Sequence, residues 1–124
     1  MPPVAADQLP DIPGVRERWG KDLLHCPYCH GWEVRDQPLG VLGGAPEAVQ
    51  HALLVRQWSP DVMLFPHTDA LTPEQREHLI ARGIRIVEGT VARLVVDNDR
   101  LQGVELVDGA VIARAAVFVR PRFV

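Results

Sequence analysis

Sulfur is scarce in this chain of 124 residues, which has two cysteines and two methionines. Two cysteines separated by two residues make a poor structural staple, because so small a loop removes little chain entropy. Charge of one sign is also missing. Acids and bases are interspersed and the net charge is −3, so nothing draws the chain to nucleic acid or to an anionic membrane surface. No apolar run approaches the roughly 20 residues of a membrane span. The start, Met1-Pro2-Pro3-Val4, lacks the basic and apolar regions of a signal peptide. A cytoplasmic protein with a reactive thiol pair is therefore expected. What is present, 47% hydrophobic and 23% charged residues, is the composition of one globular domain with a real core.

Both cysteines lie in His25-Cys26-Pro27-Tyr28-Cys29-His30-Gly31-Trp32-Glu33. Thiols at this spacing can close a small disulfide ring, with the first thiolate stabilised by its neighbours. The same spacing is half of a zinc site, to which His25 and His30 could add nitrogen ligands. It also fits two buried thiols with no chemistry.

The lead through Leu9-Pro10-Asp11-Ile12-Pro13-Gly14 reads as an extended arm outside the core. Val15 to Trp19 fits one helical turn, ended by Gly20. Residues 1–24 are thus expected to form a crossover segment, and residues 25–124 the domain proper. Leu39 to Leu42 reads as a buried strand, and Pro46 to about Trp58 as a helix with Pro46 at its first position. Asp61 to Phe65 is the next strand. Thr72, Pro73 and Gln75 open a second helix with a capping box, and Gly83 ends it. Ile84 to Val87 is a third strand. Strand, helix, strand, helix and strand make a parallel sheet. After Gly89 the period changes to two: Val91 to Val96, Leu101 to Val107 and Ala110 to Ala113 form an antiparallel meander, with Asp108-Gly109 as a hairpin turn. Ala116 to Val119 returns to the sheet. The expected fold class is α/β, a Rossmann-like parallel sheet with flanking helices and a three-stranded β-meander.

The turn after the first sheet strand is where a dinucleotide fingerprint sits, and it reads Gly43-Gly44-Ala45-Pro46-Glu47-Ala48. The first glycine and the closing alanine fit. The middle glycine, which lets the backbone approach a pyrophosphate, is Ala45. Glu47 suits the helix dipole but competes with phosphate for it. Phe65-Pro66-His67-Thr68-Asp69 offers no arginine for a 2′-phosphate, leaving His67 as a candidate cofactor contact and Asp69 as a ribose acceptor. Gly43, Gly44, Ala45, Glu47 and His67 are the candidate residues of a weak, degenerate NADP site.

In this order, Cys26-Pro27-Tyr28-Cys29-His30-Gly31, Val41-Leu42-Gly43-Gly44 and the meander resemble the central NADPH-binding domain of low-molecular-weight thioredoxin reductases. With the lead Leu9 to Val15, the likeness is to bacterial thioredoxin reductase-like FAD proteins and related dithiol oxidases. The resemblance implies a flavin-dependent disulfide oxidoreductase in which Cys26 faces the substrate, Cys29 faces FAD and His30 moves the proton near neutral pH. It implies a thioredoxin-like protein or a small dithiol as partner, the latter with O2 as terminal acceptor. His30 departs from the family, which places an acid after the second cysteine. The FAD-binding halves are missing from the sequence, so activity is expected only with an FAD-binding segment. The alternative is a catalytically incomplete remnant. The lead and the final strand would be crossover points with exposed apolar side chains, favouring a homodimer. Cys-Pro-Tyr-Cys also occurs in glutaredoxins, but Gly31 and Pro38 interrupt the long helix that fold needs. Zinc is disfavoured, since His25 and His30 flank the thiols too tightly to complete a tetrahedron. His51, His67 and His78 are expected at the surface, Trp32 and Trp58 in packing, and Arg120 and Arg122 at a solvated end.

Overall fold

Valine, leucine and phenylalanine in short runs between glycine and proline punctuation build a sheet whose central strands are buried on both faces. In the computed structural model, which describes residues 9–25 and 27–120, α1 (Val15–Arg18) is followed by β1 (Leu23–Leu24) and α2 (Pro27–His30). Then come β2 (Leu39–Leu42), α3 (Pro46–Val55), β3 (Val62–Phe65), α4 (Pro73–Ala81) and β4 (Arg85–Ile86). The meander is β5 (Val91–Asp97), β6 (Arg100–Leu106) and β7 (Val111–Ala113), and β8 (Ala116–Val119) closes the fold. The parallel sheet has the order β1-β8-β2-β3-β4, and the meander forms a separate three-stranded sheet. The α/β class is therefore as expected.

β8 is inserted between β1 and β2, in register with both: Val117 faces Leu23 on one side and Gly40 on the other. β2 and β8 are buried at every residue, as expected of parallel strands covered on both faces. The capping box of α4 is complete, with the Thr72 hydroxyl accepting from the Gln75 N–H and the Gln75 side chain accepting from the Thr72 N–H. α3 ends three residues before the expected Trp58. A turn carries the chain on, its Trp58 N–H donating to the Val55 carbonyl.

Three expectations are corrected. Leu9 and Ile12 are not in a solvated arm; they are buried with Val15, Leu94 and Val104 in the cluster beneath the meander. Prolines extend the lead, but its apolar residues at every third position, Leu9, Ile12 and Val15, still find an open meander face to cover. Leu23 and Leu24, expected in a crossover segment outside the domain proper, form the sheet strand β1 because β8 supplies a partner. β8 is not an exposed crossover edge, so neither it nor the described lead offers the apolar surface from which association was expected. Residues 1–8 and Arg122 lie outside the described residues.

Arg18 ties the lead to the meander. Its buried guanidinium donates to both carboxylate oxygens of Asp22, to the Asp99 side chain at 2.7 Å and to the Asp99 carbonyl. Asp22 in turn accepts the Leu101 N–H at 2.7 Å. Asp22 beside it holds Arg18 firmly charged, and Asp99 adds to this. Arg18→Met should cost roughly 2–3 kcal/mol, because it leaves a half-buried carboxylate without its cation. Urea unfolding would measure the loss, and a change under about 0.5 kcal/mol would show the bridge to be only surface decoration.

Candidate functional site

The thiol segment leaves β1 at Leu24 and turns once through α2, with Cys29 inside that turn. Cys26 and the side chain of Cys29 lie outside the described residues. Pro27 opens the turn, and the Gly31 N–H donates to the Pro27 carbonyl at 2.8 Å to close it. Four residues is far short of the helix that glutaredoxin geometry needs. His30 Nδ1 lies 3.5 Å from Glu33 Oε2, so a carboxylate stands beside the proposed proton carrier after all, three residues on. Tyr28 and Trp32 are exposed, and the Arg35 guanidinium stacks 3.6 Å over the Trp32 ring. Trp32 is thus not a packing residue. It presents a cationic, aromatic platform to solvent just after α2.

Beneath the segment lies α3. His51, expected at the surface, is buried, because Ala48 and Val55 place its position on the inward face of the helix. That spacing was the signal to read. His51 Nε2 is 2.6 Å from the His25 carbonyl oxygen, and its ring meets Phe118 edge-on at 5.8 Å. Burial pushes the His51 pKa down to about 4; the hydrogen bond to the His25 carbonyl opposes the shift, while the charges of His25 and Arg120 add to it. His25 itself is held below the ordinary histidine value by burial and by Arg120. Trp58 does pack, lying against Gly31 where a side chain would begin.

The glycine turn follows β2. The Gly43 N–H donates to the Phe65 carbonyl, and Gly43 adopts a left-handed φ of 118°. The next N–H, from Gly44, donates to Asp69 Oδ2 at 2.9 Å. A Cβ on Gly44 would sit 2.8 Å from the Asp69 Cβ, so glycine is needed here for close approach by Asp69. Asp69 therefore engages the turn through one of its two carboxylate oxygens. Ala45 caps α3 with no side-chain hydrogen bond, and Glu47 is an acid in its first turn. His67, at a φ of 62°, accepts the Val91 N–H at 2.9 Å and so anchors β5. As placed, this turn does not fit a dinucleotide pyrophosphate: a carboxylate already takes an N–H that the phosphate would need. Asp69→Ala combined with Glu47→Gln should tighten NADPH binding about tenfold, or about 1.4 kcal/mol. Calorimetric titration of the two proteins would measure this, and equal affinities would show that the two acids do not guard the turn.

No family model matches the chain. Among curated proteins, it is 27% identical over 130 residues to thioredoxin reductase sirT of Leptosphaeria maculans, covering 94% of this chain and 40% of that protein. The crystal structure of HlmI superposes with a TM-score of 0.90 at 67% identity, covering 94% of this chain and 36% of HlmI. The atypical thioredoxin reductase TRi from Desulfovibrio vulgaris Hildenborough superposes with a TM-score of 0.81 at 25% identity, covering 90% of this chain and 38% of the other. In sequence and in fold the chain is thioredoxin reductase-like. It spans 40% or less of the length of these relatives. Among the described residues of this thioredoxin reductase-like chain, no helix is long and apolar enough to cross a membrane.

Proposed function

We propose that the chain is the thiol–disulfide exchange domain of a thioredoxin reductase-like flavoprotein, cytoplasmic, in which Cys26 and Cys29 cycle between dithiol and disulfide. In the oxidising direction a substrate thiolate attacks the Cys26 sulfur, the Cys26–Cys29 bond breaks, and Cys29 leaves as a thiolate. The second substrate thiol then displaces Cys26. The substrate departs as a disulfide, and the domain keeps the electron pair as a dithiol. His30, with Glu33 beside it, takes up the proton released by the attacking thiol. FAD, bound by another part of the protein, supplies the electron sink that restores the disulfide.

The observation that carries this reading is a Cys-x-x-Cys whose last three residues lie in the one-turn helix α2 between β1 and β2, in a chain whose relatives bear thioredoxin reductase names. Asp69 on the Gly44 N–H supports a small dithiol with O2 as terminal acceptor over electron supply by NADPH to a thioredoxin-like partner. The exposed Tyr28 and Trp32 offer apolar surface to such a dithiol. The test is equilibration in glutathione buffers followed by alkylation and mass measurement. Two thiols should appear and disappear together through one two-electron transition, and Cys29→Ser should abolish it. Two thiols that stay reduced across all buffers would end the proposal.

A further inference from the structure

Among the described residues, two buried side-chain nitrogens lack a partner: His51 Nδ1 and Trp58 Nε1. Buried groups of this kind are rare in folded proteins and ask for a reason. Both come from α3 or the turn that continues it, and they lie at the two ends of the 25–31 segment. His51 reaches the His25 carbonyl, and the Trp58 indole abuts Gly31. The outward thiol segment is therefore backed by one helix at both its ends.

The hydrogen bond at the His25 end fixes a tautomer. A carbonyl oxygen can only accept, so His51 Nε2 carries the proton and Nδ1 keeps its lone pair. The ring is held between α3 and β8, with its edge to Phe118 and 6.0 Å from the His25 ring. The carbonyl it fixes belongs to the peptide unit that joins His25 to Cys26. Closing a disulfide needs Cα separation and side-chain torsions within narrow limits. Whatever fixes the peptide entering Cys26 therefore raises the effective concentration of one thiol at the other.

We infer that His51 is a positioning residue for the thiol pair, clamping the peptide that enters Cys26 so that the Cys26–Cys29 ring closes readily. The inference rests on the exchange chemistry proposed above and adds a residue in no contact with substrate. Two variants separate its features. His51→Phe keeps an aromatic ring but has no donor, whereas His51→Gln keeps a donor that does not titrate. In glutathione buffers, the equilibrium constant for disulfide formation should fall about tenfold in His51→Phe, equivalent to about 30 mV. His51→Gln should stay within about threefold of the parent chain. Amide hydrogen exchange across residues 25–31 should quicken in His51→Phe and not in His51→Gln. Equal equilibrium constants and equal exchange in all three proteins would overturn the inference.

If the parent chain forms no reversible disulfide, the exchange chemistry fails, and the clamp is judged by amide exchange alone. If His51→Phe does not fold, nitrogen chemical shifts of the parent protein decide. A protonated Nε2 and a bare Nδ1 at pH 7 support the clamp, and the opposite tautomer refutes it.

Discussion

Stability should fall by about 3 kcal/mol between pH 7 and pH 4, and most of that fall should vanish in His51→Gln. An unfolded histidine titrates at its ordinary value of 6.5, whereas the buried His51 resists protonation down to about pH 4. Between those two values the unfolded chain binds a proton that the folded chain refuses. Stability therefore rises with pH through this window and is lost as pH falls. The gap of about two and a half pH units, at about 1.4 kcal/mol each, gives the size of the loss. A loss that large is a substantial share of the roughly 5–15 kcal/mol that holds a domain together. Asp61 is held below the usual carboxylate range by Arg114, and Asp99 by Arg18. Their contributions are lost only on further acidification, below about pH 4. His25 shifts in the same direction as His51, which is why the comparison with His51→Gln, and not the raw profile, assigns the effect. Urea unfolding at half-unit pH steps would measure it. Parallel profiles for the two proteins would remove His51 as the cause.

Gly31→Ala should be the most damaging single methyl in the thiol segment. A Cβ there would overlap the Trp58 indole on one side and the Pro27 carbonyl on the other, far inside contact distance. Neither neighbour can step aside cheaply. The carbonyl is backbone within the turn that carries Cys29, and the indole is wedged below it. Overpacking of this kind costs about 1–3 kcal/mol and here should reach the upper end. The thiols should feel it too, since relief requires α2 to unwind. Alkylation of the reduced pair should change severalfold in rate, alongside a lower urea midpoint. Adding Trp58→Leu should recover part of the stability, whereas the clash with the carbonyl persists. A Gly31→Ala protein with the parent's midpoint would mean that the segment yields freely.

Regular elements were legible in the sequence where local chemistry alone decides them. Thr72, Pro73 and Gln75 announce α4, and the period of two after Gly89 announces the meander. Leu39 to Leu42 and Ala116 to Val119 read as buried strands because they are apolar throughout. What stayed hidden depends on partners distant in sequence. Two leucines become β1 only beside β8. Leu9 and Ile12 join the core because the meander folds over them. Asp69 looked free until the turn brought it to Gly44, 25 residues away. The thiol pair and the glycine turn could be picked out by spacing. The two aromatic side chains of opposite fate, Trp32 and Trp58, could not, because burial of a lone ring has no local signature.

The insertion of β8 between β1 and β2 also has a bearing on how the protein is made. Within the parallel sheet, among the described residues, β1 neighbours only β8, and their contacts join residues about 94 positions apart. Closing so long a loop is slow, and contacts this distant in sequence lower folding rates. During synthesis the thiol segment emerges long before residue 119 and has no sheet to anchor its entrance until then. A nascent chain stalled in the meander should therefore be cut by protease at Leu23-Leu24, with protection arriving only once β8 has cleared the ribosome and paired with them.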